Sequence, residues 1–84
     1  MAEQALDVEL KQETRFLARH DAILTAVDER FDVRGSDLST LIVSCLDNHN
    51  VISRRRRDQF SGRVPEAVFG FIETMAAQTE YQIA

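Results

Sequence analysis

Few residues in this 84-residue chain have types and spacings that support chemistry. Cys45 and His49 stand four apart, close enough to share a helix face. A thiolate and an imidazole so placed begin a metal site, but a stable zinc centre takes three or four ligands. Only His20 and scattered carboxylates remain to complete one, so no metal is expected. As a nucleophile, Cys45 would need a base and an electropositive, partly exposed setting. It shares the apolar face of its helix with Leu38, Leu41, Ile42 and Leu46, which makes it a buried, inert thiol. Glu13 and His20 lie two helical turns apart, too far for a direct acid–base pair. Gly35, Gly62 and Gly70 are scattered, so no glycine-rich loop cradles a phosphate. The chain is expected to be non-enzymatic and to carry no cofactor.

The strongest signal is the basic stretch Arg54-Arg55-Arg56-Arg57, followed by Arg63. Residues 51–63 hold five arginines and one aspartate, a charge of +4 in a chain whose net charge is −4. At about 100° per residue, four consecutive arginines point all round a helix and cannot share one face. With Phe60 marking the buried side, Arg56 lies nearest to it in angle and is expected along the protein, its stem packed and its guanidinium paired. Arg54, Arg55 and Arg57 are expected to face outward. Three uses compete: ion pairs with the acidic residues of the long first helix (Asp21, Asp28, Glu29, Asp32), contact with phosphates, or an acidic protein partner. Exposed ion pairs contribute only about 0–1 kcal/mol each. Arginine, by contrast, is enriched at interface hot spots and forks well onto carboxylates.

Four helices are expected to position these residues. Leu6, Leu10, Leu17, Leu24, Val27 and Phe31 recur at three-, four- and seven-residue spacings, with Phe16 and Ile23 beside them, which predicts a helix from 4 to about 33. Arg30 and Arg34 suit its negative end, and Gly35 is the expected stop. Ser36 or Asp37 is expected to cap a second helix, 37–48, with Asn48-His49-Asn50 as its ending. Val51-Ile52 reads as a short apolar link pointing inward. Ser53 is a good cap for a short helix, 54–60, which Ser61-Gly62 ends. Pro65 suits the first position of a last helix, 65–79, with Val68, Phe71, Ile72, Met75 and Thr79 on one stripe. The expected fold is one all-α domain, 1–84, with long, medium, short and medium helices.

A chain this short buries only about 60–65 % of the surface its unfolded form exposes, so self-association would add useful buried area. In the first helix Leu10, Leu17, Leu24 and Phe31 form a seven-residue seam, with Glu13 and His20 in the other seam position. These six residues are the expected surface of a homodimer. One cysteine excludes an internal disulfide and fits a reducing cytoplasm. The acidic start lacks the apolar core of a signal peptide. No apolar run approaches the ~20 residues that span a bilayer, so no membrane is expected. The function expected from the residues is a cytoplasmic interaction or regulatory protein, of adaptor or inhibitor type. Its contact surface for an acidic protein partner would be Arg54, Arg55, Arg57, Arg63, His49 and Asn50. The alternative is a small DNA-binding regulator, in which the second helix, link and basic helix form a loose helix-turn-helix that touches phosphates.

Overall fold

A computed structural model describes the backbone of residues 2–33 and 35–82 and the side chains of residues 13–33 and 35–81. Four helices make up the fold: α1 (Ala2–Phe31), α2 (Ser36–Asp47), α3 (Arg54–Phe60) and α4 (Glu66–Gln82). The fold is all-α, with no strand among the described residues. α1 has 30 residues, ~45 Å of helix, and runs the 48 Å length of the molecule. α2 and α4 both pack on it and on each other, while α3 joins the core through Phe60 and α4 through the Arg57–Glu73 pair.

The core follows the apolar spacing of each helix. Ile23 and Val27 of α1 meet Leu38, Leu41, Ile42 and Cys45 of α2 and Val68, Ile72 and Ala76 of α4, all fully buried. Ile52, Phe60 and Val64 extend this cluster under α3. Phe31 packs edge-to-face on Phe71 with ring centres 5.3 Å apart, and the Arg30 guanidinium lies 5.3 Å from the Phe71 centroid. Burial of large apolar side chains such as these contributes roughly 1.5–3 kcal/mol each before the entropy cost of ordering them.

The helix ends differ from the expected ones in instructive ways. α1 stops at Phe31 because Asp32 takes a left-handed conformation (φ 55°) while its N–H still donates to the Asp28 carbonyl at 3.0 Å. Aspartate tolerates that region better than most residues. Gly35 therefore does not end α1. It is the N-cap of α2, at φ 107°, with no side-chain cap bond, and Ser36 is already helical. Arg34, expected near the end of α1, lies outside the described residues. α2 closes through two consecutive left-handed residues, His49 (φ 54°) and Asn50 (φ 66°), and the Asn50 N–H donates to the Cys45 carbonyl at 2.9 Å.

In the link to α3, the Val51 N–H donates to the Asn48 carbonyl at 3.1 Å and Ser53 is extended (φ −63°, ψ 155°). Ile52 is buried, whereas Val51 is 51 % exposed, which corrects the expectation that both point inward. The Ser53 hydroxyl accepts from the Arg56 N–H at 3.2 Å, a cap of a kind that contributes about 1 kcal/mol. Gly62 at φ 109° turns the chain into α4, which continues to Gln82.

Candidate functional site

α3 presents its four arginines in four directions. Arg54 and Arg55 are exposed, and no hydrogen bond or ion pair holds either of them among the described residues. Arg56 is half-buried and lines a groove of ≈ 590 Å³ against Ser44, Asp47 and Asn48 of the α2 end. Its Nη1 donates to the Gln59 side chain at 3.1 Å.

Arg57 is the correction. It does not face outward: its Nη2 pairs with Glu73 Oε1 of α4, its Nε donates to the Ile52 carbonyl at 3.4 Å, and its guanidinium carbon lies 5.6 Å from the Phe69 ring centre. The other Glu73 oxygen accepts the Ile52 N–H at 2.9 Å. One carboxylate thus holds both the link and the basic helix. The partner acid of Arg57 lies on the last helix, and not among the α1 acids that one of the three competing uses would have supplied. Arg63 remains exposed, 3.8 Å from Asp37 and stacked 5.9 Å from the Phe60 ring centre.

Asn50 is also turned inward. Its Oδ1 accepts from Arg19 Nη2 at 2.8 Å and its Nδ2 donates to Glu80. The same Arg19 donates to the Ala76 carbonyl at 2.9 Å and to the Thr79 hydroxyl at 3.3 Å, and Arg15 donates to the Glu80 carbonyl. This polar junction ties α1 to the end of α4 and to the α2–α3 link. Sequence reasoning missed it, although Arg19 sits three residues after Phe16 and four before Ile23, on the helix face that had to be buried. Of the six residues expected to meet a partner, Arg54, Arg55, Arg63 and His49 are exposed, while Arg57 and Asn50 are engaged within the chain.

The expected dimer seam divides in a similar way. Leu24 and Phe31 pack against the monomer core, and His20 bonds the Ser39 hydroxyl of α2 at 2.9 Å. Glu13 and Leu17 stay exposed. Leu10 lies in α1 with its side chain outside the described residues. On its other side the His20 ring meets Asp21 at 3.2 Å, so Asp21, His20 and Ser39 stand in the order of an orienting acid, a base and a hydroxyl. Two features argue against nucleophilic chemistry there. Asp21 is 76 % exposed on its side chain, where water competes for it. The Ser39 N–H is taken by the Gly35 carbonyl, leaving no donor at the serine itself for an oxyanion.

Cys45 is fully buried and His49 is exposed, and no cluster of three metal-ligating side chains occurs among the described residues. Burial first, and the nearby Glu73 carboxylate second, push its thiol up to about 11, against the opposing pull of Arg19 and Arg57. The folded chain therefore holds this proton after the unfolded chain has lost it. Stability from this group is intact below about pH 9 and is lost as pH rises toward 11. Iodoacetamide at pH 8 is expected to alkylate Cys45 at least about 100-fold faster in denaturing urea than in buffer. Equal rates would mean an open thiol.

No known family matches the chain, and neither a curated protein nor a solved structure does. Among the described residues, no helix is long and apolar enough to cross a membrane.

Proposed function

We propose that this chain is a non-enzymatic interaction protein, an adaptor, regulator or inhibitor, that offers the exposed side of α3 to an acidic protein surface. The observation that carries this reading is the division of labour among the arginines. Arg57 anchors α3 through Glu73, and Arg54 and Arg55 are left exposed without a partner among the described residues. An anchored helix presents its cations at low entropy cost, which favours bidentate contacts with carboxylates. A reducing compartment such as the cytoplasm fits the free, buried Cys45.

The second reading, a DNA-binding regulator, draws on the succession of α2, a six-residue link and basic α3. Asp47 and Asp58 are exposed beside the arginines, and such carboxylates repel phosphates while leaving room for a shaped protein contact.

The test is capture from native lysate with and without nuclease, using the wild-type chain and the Arg54→Glu/Arg55→Glu variant. A protein retained after nuclease and lost on charge reversal is the expected result. Binding to duplex DNA that weakens by about one unit of log–log salt slope per arginine removed would favour the second reading. A captured partner indifferent to the charge reversal would overturn both.

A further inference from the structure

The exposed large apolar side chains among the described residues are Leu17, Val51 and Tyr81. Singly exposed apolar residues are ordinary, but the first two sit in charge settings of opposite sign. On α1, Glu13, Leu17 and Asp21 follow each other at four-residue spacing, all exposed, a row of carboxylate, isobutyl and carboxylate. The two acids stand ~12 Å apart along the helix. One turn further, the half-buried Leu24 leads into a dent of ≈ 340 Å³ beside Val33 and Gly35. On the α2–α3 link, exposed Val51 lies along the chain between exposed His49 and exposed Arg54 and Arg55.

We infer that the acidic surface met by Arg54 and Arg55 is a second copy of this chain, with Val51 of one copy against Leu17 of the next and the arginines on Glu13 and Asp21. This rests on the reading that these arginines serve a protein contact. Charge complementarity carries it: Arg54 and Arg55 are exposed and unpaired among the described residues, and Glu13 and Asp21 are exposed on either side of Leu17 while Arg15 and Arg19, the cations between them, donate to α4, so two chains attract when these unlike faces meet. Pairing α1 with α1 would instead set Glu13 and Asp21 of both copies side by side. The two patches are different surfaces, so the contact is head-to-tail.

Sedimentation velocity of the full chain at about 100 µM tests it. The wild type is expected above monomer mass in dilute buffer and at monomer mass in about 1 M salt, where screening shortens to about 3 Å. Glu13→Lys/Asp21→Lys and Arg54→Glu/Arg55→Glu are each expected to be monomeric alone and to associate when mixed, with circular dichroism confirming that both are folded. A monomeric wild type, self-association surviving in either variant, or a mixture of folded variants that stays monomeric would overturn the inference. If the wild type is monomeric while a nuclease-resistant partner is still lost on reversing Arg54 and Arg55, the self-contact falls and the acidic-partner reading stands. If the chain self-associates as described but captures nothing else, the second copy is the partner.

Discussion

Leu41→Ala is expected to remove about 3–5 kcal/mol of stability. Leu41 is fully buried on α2, in the cluster that joins α1, α2 and α4. Its loss combines the transfer cost of three methyl-sized groups with the cavity left behind. A chain of 84 residues has roughly 4–12 kcal/mol to lose in total. Urea denaturation followed by circular dichroism should therefore move to a midpoint lower by several molar, at ~1 kcal/mol per molar for so small a chain. Leu41→Met, which keeps the volume, should cost less than about 1.5 kcal/mol. A loss below about 1 kcal/mol for the alanine variant would place Leu41 outside the core.

The all-α fold was legible because each longer helix states its buried face through spacing. Ile23 and Val27, Leu38 through Cys45, and Val68 through Ala76 each recur at helical period and each prove buried. Helix stops were harder to read, since they depend on backbone conformation at one residue. Asp32 ends α1 in a region where glycine is usually sought, and Gly35 three residues later serves the next helix. The first helix also carries more apolar residues than the core receives. Leu10, Leu17, Leu24 and Phe31 look like one seam by spacing, but a 3.6-residue helix drifts against a seven-residue repeat. Phe31 and Leu24 drift into the monomer core while Leu17, two turns earlier, is left 58 % exposed.

The arginines show where an argument from one helix ends. With Phe60 as the only reference, Arg56 and Arg57 lie within about 40° and 60° of the buried direction, on opposite sides. Which of them is held depends on what stands on each side. α2 offers the groove at Asp47 and Asn48 to Arg56, and α4 offers a carboxylate to Arg57. The signal that would have decided it was on α4. Glu73 is the only acid between Glu66 and Glu80, and it sits four residues after buried Phe69 and next to buried Ile72. A carboxylate at the edge of an apolar stripe asks for a cation and a backbone donor.

Glu73→Ala tests that account, with an expected loss of about 2–3 kcal/mol, the usual range for removing charge-assisted hydrogen bonds at a partly buried site. Two donors lose their acceptor at once: the Ile52 N–H and the Arg57 guanidinium. Because the second of these is a cation left beside the Phe69 ring, the Arg57→Ala/Glu73→Ala double variant should lose less than the sum of its singles, by about 1 kcal/mol or more. Additive losses in the cycle, read from urea midpoints, would mean that the pair does not hold α3. Glu73→Gln separates the two bonds, since its carbonyl can still accept from Ile52 while its amide only crowds Arg57; an intermediate loss is expected. Arg54→Glu/Arg55→Glu, by contrast, should leave stability within about 0.5 kcal/mol of the wild type, because both residues are exposed and unpaired among the described residues. If that variant is stable and loses partner binding while Arg57→Ala is destabilised and keeps it at a temperature where it is folded, one short helix carries two separable roles. Its inner arginine fixes where the helix lies, and its outer arginines determine what it meets.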